Sequence, residues 1–168
     1  MRQQRRFSCL RVIGCLLVIV GLGAGSVILM TTPERRERTE RTACRANLRQ
    51  LSTAMLAYAR ENGDRLPPRA VWSRAIEPHV AVEQVFRCPT APRGASLTYG
   101  MNPAMSGIRL DEVPEEEHPH TVLLFDGRDG VVIQRHGAGA NYSYLNGRVR
   151  WLADPPEGSR LQVVAEDP

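Results

Sequence analysis

The stretch Tyr142-Ser143-Tyr144-Leu145-Asn146-Gly147-Arg148-Val149-Arg150-Trp151 reads as two short strands folded back on each other. Asn146-Gly147 favours a two-residue type I′ turn, because both central residues of that turn need positive φ. That register pairs Leu145 with Arg148, Tyr144 with Val149, Ser143 with Arg150 and Tyr142 with Trp151. Strict alternation then puts Tyr142, Tyr144, Val149 and Trp151 on one face, with Ser143 and Arg150 on the other. The chain therefore ends in an antiparallel sheet.

Working outward, Thr121-Val122-Leu123-Leu124-Phe125-Asp126 has the composition of a buried strand, and Ser96-Leu97-Thr98-Tyr99-Gly100 that of a shorter one. Residues 161–165 suit a last strand, and Val85-Phe86-Arg87-Cys88-Pro89 a short extended segment. Asp126-Gly127 and Asp129-Gly130 read as turn residues, with weak calcium binding as an alternative. The run Glu115-Glu116-Glu117 reads as a solvated loop. Trp72, Ile76 and Val80 share one side of a short helix over 72–80.

Upstream the period changes. Cys44, Leu48, Leu51, Met55 and Tyr58 recur at helical spacing and form one apolar stripe. Before them, residues 34–49 alternate Glu and Arg three or four apart, which supports an exposed helix. Asn62-Gly63 and Leu66-Pro67-Pro68 end it. A helix followed by strands defines an α+β chain.

Residues 12–30 carry no charge, and Ser26 is the one plainly polar residue among them. Nineteen helical residues span about 28 Å, close to the hydrocarbon thickness of a bilayer. The run reads as a transmembrane helix. A signal peptide is the alternative, but apolar residues continue past Gly23-Ala24-Gly25-Ser26. Val12-Ile13-Gly14-Cys15 resembles a lipoprotein box, yet the apolar run follows its cysteine instead of preceding it. Gly21 and Gly25 form a small-xxx-small pair suited to helix contact.

The net charge of +4 is segregated: residues 1–49 hold ten Arg and three Glu, whereas residues 50–168 hold twelve Arg and fifteen acids. The basic character belongs to the flanks of the apolar run, so no nucleic-acid partner is expected. Near-equal arginine counts on both sides leave orientation open.

Four segments together resemble the prepilin-type proteins that end in a His-x9-Asp-Gly motif. Cys44-Arg45-Ala46-Asn47-Leu48-Arg49-Gln50-Leu51, with Tyr58-Ala59 and Leu66-Pro67-Pro68, is similar to the family's helix. Val85-Phe86-Arg87-Cys88-Pro89 and Ser96-Leu97-Thr98-Tyr99-Gly100-Met101-Asn102-Pro103 resemble its middle segments. Arg135-His136-Gly137-Ala138-Gly139-Ala140-Asn141-Tyr142, followed by Asn146-Gly147, resembles its C-terminal motif. The resemblance implies a pilin-like fold, in which a long transmembrane-plus-amphipathic helix packs on a small antiparallel sheet. It divides the chain into a cytoplasmic N-terminus (1–11), a transmembrane helix (12–30), a membrane-proximal helix (31–63) and a sheet domain (64–168). It also implies a single-pass inner-membrane protein with its C-terminal domain periplasmic.

Three departures stand out. Arg6 replaces the glycine of a prepilin peptidase site, Arg11 stands where its glutamate belongs, and Asn146 replaces the motif aspartate. Processing and the usual pairing inside the bilayer are therefore not expected. Arg11 can snorkel, so anchoring survives.

The motif positions His136, Asn141, Asn146 and Gly147 are the candidate site residues. His136 with Asp126 on the preceding strand, and His118 or His120 upstream, invites a metal or acid–base reading. Metal-ligand spacings such as His-x-x-His are absent, and a histidine that locks the hairpin is the preferred reading. Cys44 and Cys88 are candidates for a disulfide, with two separately buried thiols as the alternative; closure would contribute roughly 3–4 kcal/mol. Cys9 and Cys15 read as apolar filler. No catalytic residue, cofactor or metal is expected, because no nucleophile elbow, carboxylate pair or phosphate loop is present.

The expected function is that of a pseudopilin-like assembly component of a type II secretion or type IV pilus-like system. Its expected partners are the lipid bilayer and other pseudopilins or secretion components. The alternative is a membrane-tethered ligand- or metal-binding module.

Overall fold

The computed structural model describes residues 33–165. The apolar run 12–30 lies outside the described residues, as do Arg6, Arg11, Cys9, Cys15, Gly21 and Gly25. Among the described residues, no helix is long and apolar enough to cross a membrane. The architecture is α+β: helix α1 (Pro33–Glu61), a single turn α2 (Trp72–Ala75), and strands β1 (Tyr99–Met101), β2 (Val122–Arg128), β3 (Val131–Gln134), β4 (Ala140–Tyr144), β5 (Val149–Leu152) and β6 (Gln162–Ala165).

The stripe read from α1 is the face that packs. Cys44, Leu48, Leu51, Ala54, Met55 and Ala59 are buried, and Tyr58 packs at their margin. Burying a leucine such as Leu48 or Leu51 stabilises by about 1.5–3 kcal/mol. The helix stops where expected: Gly63 and Asp64 take positive φ (66° and 57°), and the Asn62 amide donates to Tyr58 O at 2.8 Å. The compact unit that begins at Thr39 contains the remainder of α1 and the whole sheet, so helix and strands share one core.

The strand order is β5-β4-β2-β3-β6, with β1 also paired to β2. All pairs are antiparallel except β3 with β6, which is parallel. β1 and β4 both pair with Leu124 and Phe125, so they lie on opposite edges of β2. Successive residues of the sheet feed two clusters. One gathers Tyr99, Met101, Leu123, Leu124 and Val149 against α1. The other gathers Val122, Phe125, Val132, Ala140, Tyr142 and Tyr144.

The hairpin forms, but one residue out of the expected register. β4 and β5 pair Ser143 with Val149, Tyr142 with Arg150 and Asn141 with Trp151. Tyr144 N donates to Arg148 O, and Gly147 N donates to Tyr144 O, both at 2.9 Å. The loop is thus the three residues Leu145, Asn146 and Gly147, and of Asn146 and Gly147 only Gly147 takes positive φ (77°). Asn-Gly serves this three-residue loop with a glycine bulge as readily as a type I′ turn. A one-residue slip moves a whole strand to the other face. Val149 accordingly packs against α1, and Tyr142 and Tyr144 face the second cluster.

A two-residue turn with both φ positive does occur at Asp129-Gly130 (51° and 81°), joining β2 to β3. Asp126-Gly127 is no turn: β2 runs straight through it. The segment expected to be extended begins as a 3-10 turn, Glu83–Phe86, and becomes extended at Arg87. The 72–80 helix is broken into α2 and a 3-10 turn, Glu77–His79, with Pro78 in the second; Trp72 and Ile76 are buried as expected.

Candidate functional site

Asp126 is a lone carboxylate at the end of an apolar strand segment, and it is fully buried. Asn141, across the sheet on β4, meets it: the Asn141 backbone N and side-chain Nδ2 both donate to Asp126 Oδ2 at 2.7 Å. Asp126 Oδ1 has no hydrogen-bond partner among the described residues. Burial pushes the carboxyl up to about 6, against the two Asn141 bonds and the Arg135 charge that favour ionisation.

His136 is brought beside Asp126 by a tight reversal before β4. Gly137 and Ala138 both take positive φ (58° and 52°), and His136 N donates to Gly139 O at 3.3 Å. The indole of Trp151 holds the other side, Nε1 donating to His136 O at 3.0 Å. The imidazole is fully buried, with Nε2 3.7 Å from Asp126 Oδ2 and 3.4 Å from Cys88 Sγ. Burial lowers His136 to about 4, and the Arg135 charge acts in the same direction. Near neutral pH the pair is a neutral imidazole beside a carboxylate. The imidazole proton belongs on Nε2, the nitrogen facing both acceptors.

Cys88 is bonded to Cys44 of α1, with Cα atoms 5.3 Å apart. Thr98 fixes the Cys88 loop, its Oγ1 accepting from Cys88 N at 2.6 Å. Asn47, one helical turn from Cys44, donates through Nδ2 to Arg87 O at 3.0 Å and to Tyr99 Oη at 3.3 Å. Asn102 Nδ2 donates to Val122 O at 2.8 Å. Cys44, Asn47, Cys88, Tyr99 and His136 thus meet at one place, where α1, the Cys88 loop and the sheet join.

The structure gathers His136, Asn141, Cys44 and Cys88 and leaves Asn146 and Gly147 apart. Those two sit at the tip of the hairpin, at the opposite end of β4 from His136, on the order of 15 Å along the strand. The Asn146 side chain accepts a local bond from Arg148 N at 3.1 Å. His118 is occupied by Val113 O at 3.1 Å, and His120 is exposed. The sequence paired Asp126 with His136, as the structure does, but reading Asp126-Gly127 as a turn missed the carboxylate's burial and its bonds to Asn141. The signal was a single acid closing an apolar run, a position where burial demands a partner.

No protein-family profile, curated protein or solved structure matches the chain.

Proposed function

We propose that this protein is a membrane-anchored, pilin-like structural component of an envelope assembly of the secretion or pilus type. The apolar run 12–30 would tether it, with the unit from Thr39 onward on the far side of the membrane. One observation carries the reading. The polar motif residues near the helix–sheet junction are consumed in internal bonds: Cys44 in a disulfide and Asn47 on Arg87 and Tyr99 hold α1, while Asn102 on Val122 and Asn141 on Asp126 tie the sheet to itself. A rigid helix-on-sheet head is what an assembly subunit needs, since its contacts must repeat without rearrangement. Arg6 and Arg11 argue that the N-terminus is retained and that assembly does not use the usual glutamate pairing.

The test is made in membranes. Photo-crosslinkers placed singly along residues 12–30 should give adducts with a second copy or with other pilin-like subunits. Intact mass should show residues 1–6 retained. Release of the full chain by alkaline carbonate, or a strictly monomeric crosslinking pattern at every position, would overturn the reading.

A further inference from the structure

We propose that Cys44, Cys88 and His136 form a second, reduced-state site: a three-ligand centre for a zinc-class divalent cation, closed off when the cysteines are bonded. The sulfurs of Cys44 and Cys88 and a ring nitrogen of His136 all lie within 4.8 Å of one another, and all three residues are buried. Around tetrahedral zinc, with metal–sulfur and metal–nitrogen distances of about 2.3 and 2.0 Å, neighbouring sulfur and nitrogen ligands sit roughly 3.5 Å apart. Cys88 Sγ and His136 Nε2 already stand at 3.4 Å. Asp126 lies outside that group of three, its Oδ2 3.7 Å from the same nitrogen, and adds negative charge beside the site. Two thiolates and an imidazole, with a fourth position open to water, are a donor set that suits zinc, with the thiolates disfavouring hard cations such as magnesium.

Asn141 holds the neighbouring Asp126 carboxylate in place through two short bonds. Two thiolates and a carboxylate outweigh one divalent ion by a single negative charge, and the Arg135 cation is felt by both Asp126 and His136. Access to the state is a balanced exchange. A dithiol reductant gives two electrons and two protons to the disulfide and leaves as its own disulfide. The two cysteine thiols then release their protons as the metal binds.

The experiment uses the full-length chain carrying Cys9→Ser and Cys15→Ser, so that only Cys44 and Cys88 supply sulfur. Reduced protein titrated with cobalt(II) should take up one equivalent, with a thiolate-to-cobalt charge-transfer band and the intense visible bands of a tetrahedral site. Zinc should bleach both. The oxidised chain should show neither. Adding Cys88→Ser or His136→Ala should abolish or blue-shift the bands. If the reduced chain is unfolded without metal, zinc must restore its circular dichroism. A reduced chain that binds no cobalt, folded or not, overturns the proposal. Bands indifferent to both Cys88→Ser and His136→Ala would overturn it too.

Discussion

Asn141 holds Asp126 with two donors on one oxygen, its backbone N and its side-chain Nδ2, each 2.7 Å from Oδ2. Both residues are fully buried, so this pair is what allows a carboxylate to sit inside the sheet. Replacing Asn141 by Ala removes one charge-assisted bond and leaves the carboxylate less compensated. The expected loss is about 1.5–3 kcal/mol at pH 7, read from urea denaturation. Asp126→Asn in the same background should recover part of it, because a neutral amide does not need the missing donor. An Asn141→Ala protein as stable as the parent would show that the pair carries no load.

The disulfide closes a loop with a sequence separation of 44 between Cys44 and Cys88. Constraining a loop of that length in the unfolded chain stabilises the folded state by about 4 kcal/mol on the chain-entropy argument. Cys44→Ser with Cys88→Ser should lower stability by that order. Thiol counting under denaturing, non-reducing conditions should find neither sulfur free in the parent. Two reactive thiols at those positions in the oxidised protein would contradict the bond.

Two glycines near the hairpin should respond differently to alanine. A Cβ on Gly139 would run into the Trp151 ring, with Cε2 at 2.6 Å, and into Leu152 O at 2.8 Å. The indole must move, and its bond to His136 O must break. Overpacking of this kind costs about 1–3 kcal/mol, and near-ultraviolet dichroism should change with it. A Cβ on Gly147 would meet nothing within 4 Å, but the residue sits at φ +77°. Its cost is backbone alone, about 1 kcal/mol, with the aromatic signal unaltered. Equal spectral changes in the two variants would refute this division.

What could be read from the chain follows the range of the forces involved. The α1 stripe was legible because Cys44, Leu48, Leu51 and Met55 repeat locally with the helical period. The strand at β2 was legible from its apolar run, yet its extension through Asp126-Gly127 was not. Gly127 is tolerated there at φ 150°, where Val131 O and Val132 Cα leave no room for a Cβ. Strand β3 went unread because its four residues acquire meaning only when paired between β2 and β6. The hairpin existed in the sequence but its register did not, since Asn146-Gly147 suits two loops of different length. The contact of His136 with Cys88 spans 48 residues and arises from tertiary packing alone. Periodicity cannot report such a meeting.

His136 and Asp126 should reveal themselves through opposite pH dependences. Burial lowers His136 from 6.5 to about 4, so its contribution to stability is complete above the unfolded value and is lost as pH falls through about 4. Burial raises Asp126 from 3.8 to about 6, so its contribution is complete below the unfolded value and is lost as pH rises through about 6. Between these limits the two effects oppose each other. Substituting one residue exposes the other. His136→Gln leaves the buried acid, and that variant should gain stability, relative to Asp126→Asn, as pH falls from 7 to 4. Asp126→Asn leaves the buried base and should lose stability, relative to His136→Gln, over the same interval. The readout is the difference between the two urea midpoints at each pH, because every other titrating group is common to both chains. Midpoints that move in parallel would mean that burial governs neither group.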